Sequence, residues 1–137
     1  LGNALQSVGR TREARVHWQA AGDVARAALR RNARDAAARA RLAYSMARLG
    51  DANLAADEAL QAAQLAPSDY AVIFWVAMTL ENTGRRDEVF PLLEGATAER
   101  LRDLRRQPDL KNLTEDSRFV SLLQEAEKAQ LNSSQRK

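Results

Sequence analysis

The chain has 137 residues, a formal net charge of +3, no cysteine, 5% aromatic residues, and only 3 prolines and 6 glycines. The lack of cysteine excludes disulfides and thiol chemistry. No apolar run, even Ala71 to Leu80, approaches the roughly 20 residues of a membrane span, so membrane insertion is not expected. Frequent alanine and sparse β-branched residues favour an all-helical chain of single-domain length, in which small side chains let helices approach closely.

Leu1 to Val8 reads as the end of a helix stopped by Gly9, and Thr11 as the cap of the next helix. That helix carries Ala14, Trp18 and Ala21 at the i, i+4, i+7 spacing of one face. It is expected to run through Gly22 to about Arg31, despite a glycine cost of about 1 kcal/mol, because Val24, Ala28 and their neighbours keep the helical pattern. Asp35 suits an N-cap for a helix reaching Leu49. A tight turn at Gly50-Asp51 leads to a partner helix from about Ala52 to Leu65, ended by Pro67. Ser68 or Asp69 then caps a helix with Val72, Ile73, Val76, Ala77 and Leu80 on one side and Phe74, Trp75 and Met78 on the others. A helix apolar nearly all round must be covered on more than one side.

After Gly84, Pro91 falls early in the segment Arg86 to Ala96 and is expected to bend that helix or delay its start. Glu99 to Arg106 forms a short amphipathic helix with Leu101 and Leu104 inward. Pro108 interrupts it, and Leu110 and Leu113 anchor an extended link. A final helix starts near Asp116 or Ser117, with Phe119, Leu122, Leu123 and Ala126 in one stripe. From Leu131 the chain has no core-forming residues, and 131–137 is expected to be a disordered tail.

The stretch Ala36 to Asp69 recurs. Laid on the stretch that follows it, it sets Gly50 on Gly84, Leu42-Ala43 on Val76-Ala77, Met46 on Leu80 and Ala62 on Ala96. Laid on the stretch before it, it sets Leu42-Ala43 on Leu1-Gly2, Gly50 on Gly9 and Ala55 on Ala14. The interval from Gly9 to Gly50 exceeds that from Gly50 to Gly84 by about two helical turns. Two helices per unit at this period mean a stacked helical repeat. The units are about 1–35, 36–69 and 70–96, followed by a capping segment 97–130.

These units resemble tetratricopeptide repeats. The residues that carry the likeness are Leu1-Gly2-Asn3-Ala4, Gly9, Glu13-Ala14, Trp18 and Ala21 in the first unit. In the second they are Leu42-Ala43, Gly50, Ala55, Ala62 and Pro67, and in the third Val76-Ala77, Leu80, Gly84, Glu88 and Ala96. The segment Pro108 to Ala126 is similar to the end segment that closes such arrays in bacterial multidomain signalling proteins, among them kinases, adenylate cyclases and winged-helix regulators. The matching residues are Pro108, Asp109, Leu110, Leu113, Asp116, Arg118, Phe119, Leu122 and Leu123. The resemblance implies an all-α fold, a right-handed superhelical array of antiparallel helix pairs (an α-solenoid) with a C-terminal capping helix. It also implies a protein-binding scaffold within a larger bacterial protein, with the cytoplasm as the expected compartment. A start without Met, part-way through a repeat, is in keeping with a fragment.

No catalytic, cofactor-binding or metal-binding residue is assigned. His17 is the only histidine and makes neither a triad nor a metal cluster. The adjacent acids Asp57-Glu58 and Asp87-Glu88 point about 100° apart on a helix, as solvated faces do. Leu1 to Ala66 holds ten arginines against six acids, and Pro67 to Lys137 eleven basic residues against twelve acids. Arg30-Arg31, Arg85-Arg86 and Arg105-Arg106 lie near helix ends, where they complement the helix dipole, and lack interleaved exposed aromatics. Nucleic acid is therefore not the expected partner.

The candidate surface is the concave one, lined by the first helix of each unit: Asn3, Gln6 and Ser7; Ala37, Ala40, Tyr44 and Arg48; Ala71, Phe74, Met78, Glu81 and Asn82. Tyr44, Phe74 and Met78 are expected as an apolar floor with Arg48, Glu81 and Asn82 as polar edges, a groove for a protein or peptide partner. The competing explanation has Phe74, Trp75 and Met78 packing on the cap or on another unit. Homo-oligomerisation through exposed repeat faces is the alternative function, and a regulatory domain of a kinase, cyclase or transcription regulator is another. In some family members a Lys/Asn/Arg clamp holds a chaperone's C-terminal carboxylate. Asn3 matches one clamp position, but Ala71 and Trp75 stand where basic residues belong, so that function is not expected here.

Overall fold

The computed structural model describes residues 2–135, with side chains described from Gly9 onward. Among the described residues every regular element is helical. They are α1 (Gly2–Arg31), α2 (Ala36–Arg48), α3 (Ala52–Leu65), α4 (Tyr70–Asn82), α5 (Val89–Leu93), α6 (Ala98–Arg105), α7 (Lys111–Glu115) and α8 (Ser117–Gln135), with 3-10 turns at Arg86–Glu88 and Pro108–Leu110. Each of the first four helices packs on its successor, α2 also packs on α4, and α8 packs on α5, α6 and α7.

Local chemistry sets the ends of the central helices. The Asp35 carboxylate accepts from the backbone N–H of Ala38 at 3.0 Å, and the Asp69 carboxylate from those of Ala71 and Val72 at 3.0 and 3.4 Å. At the other end, α2 and α4 close with the same turn. Asp51 N–H donates to the Met46 carbonyl at 3.0 Å and Gly50 N–H to that of Ala47 at 3.1 Å. One repeat later Arg85 donates to Leu80 at 2.8 Å and Gly84 to Glu81 at 3.2 Å. This Schellman pattern needs a left-handed residue just past the helix, and Gly50 (φ 99°) and Gly84 (φ 77°) supply it.

The turn expected at Gly9 does not form. Gly9 stays within α1, a single helix of 30 residues, so the first unit has no separate helix ending near Val8 and no cap at Thr11. Continuing α1 through Gly9 costs only the helix propensity of one glycine. Leu1 lies outside the described residues. Continuity through Gly22 is as expected, and the glycine sits where α1 meets α2. A Cβ built there would stand 3.7 Å from Ser45 Cβ and 3.8 Å from Leu42 Cδ1, ordinary contact distances.

Further on, Pro91 delays the helix as expected. The 3-10 turn Arg86–Glu88 precedes the five-residue α5, where Pro91 is third and has no intrahelical N–H bond to forfeit. Leu110 and Leu113 are buried anchors, but their link is helical and not extended, running from the 3-10 turn directly into α7. Proline at the first position starts this turn. The tail expected to be disordered from Leu131 continues α8 to Gln135, with Leu131 62% exposed. The packed start of α8 provides the nucleus, and adding residues to it is cheap. Residues 136–137 lie outside the described residues.

Two kinds of packing make the core. Alanines dominate the buried positions of α2 and α3, while Leu80, Leu101, Leu104, Leu110, Leu113 and Phe119 fill the second half. A chain of charges fastens the cap there. Arg86 pairs with Glu81 at 2.5 Å and lies 3.6 Å from Asp116; Arg118 bonds Asp116 at 3.0 Å and Asp87 at 2.7 Å. The Arg118 guanidinium also stands 4.3 Å from the Phe90 ring centroid. Hydrogen bonds from the Arg118 side chain and backbone N–H hold the Asp116 carboxyl down at a pKa of about 2, and its two carboxylate partners raise the Arg118 pKa.

Two expectations follow for stability. Gly22→Ala is expected to raise it by about 0.5–1 kcal/mol through helix propensity, and Gly50→Ala to lower it by about 1 kcal/mol through the left-handed backbone. Equilibrium guanidinium unfolding checks both signs, and a loss in Gly22→Ala would mean that the α1–α2 contact does not admit a methyl group. Asp116 takes up its proton near pH 2 in the folded chain and near 4 in the unfolded one. The stability that its charge provides is therefore complete above about pH 4 and lost as the pH falls towards 2. In urea unfolding, the deficit of Asp116→Asn should be constant at neutral pH and close across that window; a deficit unchanged by pH would separate it from the carboxylate.

Candidate functional site

Tyr44 and Arg48 on α2 occupy the same places in their unit as Met78 and Asn82 do on α4, one unit on. Equal caps, equal lengths and equal turns hold the two helices in this correspondence, and their direct packing sets the four residues side by side. They line a cavity of about 200 Å³ together with Glu81, one turn along, and with Asp109 and Asn112 from the segment after Pro108.

The walls of this cavity are largely polar. Tyr44 and Met78 are buried, so they support the cavity and do not form the broad apolar floor expected from the sequence. The Tyr44 hydroxyl donates to Asp109 Oδ2 at 3.4 Å. Burial raises the Tyr44 pKa, the Asp109 charge raises it further, and Arg48 opposes both. Glu81 is only 11% exposed at its side chain and is paired with Arg86. Arg48, by contrast, meets no carboxylate among the described residues, its guanidinium lying 5.6 Å from the Trp18 ring centroid. The cavity thus keeps one unpaired cation, Arg48, and one carboxylate without a cation, Asp109, beside the amides of Asn82 and Asn112.

Phe74 does not line the cavity. It belongs to a row of rings that crosses from α1 to α4: Trp18 meets Tyr44 edge-on at 5.1 Å, Tyr44 meets Trp75 at 5.4 Å, and Trp75 meets Phe74 at 5.4 Å. Trp18, Phe74 and Trp75 are each partly exposed. Ala40 is fully buried and unavailable to a ligand. Asn3, Gln6 and Ser7, and with them the Asn3 clamp position, fall outside the described side chains. Sequence reasoning missed Trp18, Asp109 and Asn112 as neighbours of this site. A signal existed for the last two: Leu110 and Leu113 are three apart and buried, and Asp109 and Asn112 repeat that spacing one residue back, on an adjacent face.

The other groups weighed for chemistry have structural partners. Asp57 lies 3.8 Å from Arg85, Glu58 2.7 Å from Arg39, and Asp87 2.7 Å from Arg118, while Glu88 pairs with Arg85. His17 is exposed against Trp18, ring centroids 4.8 Å apart. Among the described residues no three His, Asp or Glu side chains converge to hold a metal, and no helix is long and apolar enough to cross a membrane. Set against family models, curated proteins and solved structures, the chain matches none of them.

Proposed function

We propose that this protein is a non-catalytic interaction scaffold that holds a peptide or a segment of a partner protein against the α2–α4 face. In this reading the chain is a tetratricopeptide-like, right-handed superhelical array closed by its C-terminal segment, and the face is its concave side. The recurrence of one capped helix and one Schellman turn in successive units supports the repeat. The observation that carries the function is the cavity itself, where equivalent positions of two units converge with charges left unpaired.

The mechanism is recognition by a preformed surface, so little ordering cost falls on the scaffold. Arg48 offers donors to a carboxylate or carbonyl, and Asp109 an acceptor to an amine or N–H, so a ligand is read in one direction. Asn82 and Asn112 each carry a donor and an acceptor and suit a peptide backbone. The partly exposed rings of Trp18, Phe74 and Trp75 provide an apolar anchor beside these polar groups. The likeness of the closing segment to those of bacterial signalling proteins supports a place as a regulatory domain in a larger chain.

Peptides selected from a displayed random library against the immobilised protein test this reading. Arg48→Ala and Asn82→Ala are each expected to weaken the selected peptides about 10-fold, or about 1.4 kcal/mol. Gln64→Ala, on the exposed side of α3, should leave binding unchanged. Ligands that bind all the variants equally would move the site elsewhere and overturn the proposal.

A further inference from the structure

Two surfaces far apart in the sequence take no part in the face just described, and their chemistries complement each other. The first is the outward side of α1. Val16, Ala20 and Val24 stand at the i, i+4, i+8 spacing of one stripe, with Val16 65% and Val24 70% exposed. Arg12, Arg30 and Arg31 lie on this side and meet no carboxylate among the described residues; of the two acids there, Asp23 is paired with Arg26 at 3.5 Å, which leaves Glu13 against three cations. The opposite side of α1, through Gly22 and Ala25, is the one that packs within the chain.

The second surface is a groove of about 620 Å³ between α6 and α8, floored by Leu101, Leu122 and Ala126 and edged by Glu99 and Glu125. An adjoining depression adds Glu94. None of these three glutamates meets a cation among the described residues. Of the neighbouring arginines, Arg102 is held by Glu127 at 3.3 Å and Arg118 by Asp116 and Asp87, while Arg100 lies over the Tyr70 ring, 5.3 Å from its centroid. The groove is therefore apolar at its base and anionic at its rim. The lengths also agree: at 1.5 Å per residue, Val16 to Val24 spans about 12 Å, and the α8 wall from Leu122 to Ser133 about 16 Å.

We infer that the occupant of this groove is α1 of a second copy of the chain, its valine stripe on the leucine and alanine floor and its arginines against the glutamate rim. Such a contact is heterologous, joining different surfaces of the two copies, so it leaves a free groove at one end and a free α1 at the other and propagates head to tail. It uses neither the cavity nor the aromatic row, and stands independently of the function proposed above.

Mass measured by light scattering from micromolar to hundreds of micromolar tests it with three proteins. The parent chain is expected to grow past dimer with concentration and to shrink towards monomer as added salt screens the exposed rim charges. Val16→Glu with Val24→Glu blocks α1, and Glu125→Arg with Ala129→Arg blocks the groove. Every substituted position is exposed, and circular dichroism verifies that both variants keep the parent's helix content. Each variant alone should be monomeric, and their equimolar mixture should give a one-to-one complex and nothing larger. A parent chain that is monomeric throughout, with or without a foreign basic helix binding the groove, overturns the inference. Self-association by the groove variant alone, or failure of the mixture to pair while the parent assembles, does the same.

Discussion

The first half of the molecule depends on alanine meeting alanine. Ala38, Ala40, Ala43 and Ala47 of α2 and Ala55, Ala56, Ala59, Ala62 and Ala63 of α3 are all buried. A methyl group loses no rotamer freedom on burial and lets helix axes approach towards the short end of the usual range of about 8–10 Å. Tyr44 is buried and Arg48 exposed where α2 borders the candidate cavity. Small side chains also bury little apolar area each, so the alanine stack leans on the leucines and Phe119 of the second half. Helix α4 joins the two regimes. Its nearly all-round apolar surface is covered by α2, α3, α5 and both 3-10 turns.

What the sequence made legible was the chemistry that acts over a few residues. The bounds of α3, the aspartate caps and the two glycine turns all rest on local hydrogen bonds, and they could be read. Gly9 looks the same in sequence as Gly50, yet a turn there requires helices on both sides with faces to bury, and that requirement is tertiary. The segment after Pro108 divides the same way. Its buried leucines were readable from hydrophobic pattern, whereas its helical path was not, because proline starts a 3-10 turn as readily as it stops a helix. At the site, the repeat register brought Tyr44, Arg48, Met78 and Asn82 together on paper. Asp109 and Asn112 come from outside the repeat, and no register could place them.

The arginine pairs show how far sequence pattern underdetermines electrostatics. Arg30-Arg31 and Arg85-Arg86 read alike. Arg85 is nevertheless held by Asp57 and Glu88, and Arg86 by Glu81 and Asp116, while Arg30 and Arg31 meet no carboxylate among the described residues. The difference lies in whether a neighbouring element offers an acid. In the second half Arg85, Arg86, Arg102, Arg106 and Arg118 are paired with acids, whereas in the first half only Arg26 and Arg39 are, among the described residues. The mild excess of positive charge in the first half is thus carried by groups still available to a partner.

Cap and cavity meet at Glu81. Its carboxylate lies on the wall of the cavity and is bonded to Arg86, which in turn faces Asp116 at the start of α8. From the same closing segment Asp109 reaches the cavity and accepts from Tyr44, one residue before the buried Leu110. The cap therefore does more than cover an apolar helix face. It sets the position of Asp109 through the burial of Leu110, and its Asp116 shares with Glu81 the guanidinium of Arg86, which lies ahead of the segment. The two cavity carboxylates are thus both tied to the closing segment, Asp109 by its place in the chain and Glu81 through Arg86 and Asp116.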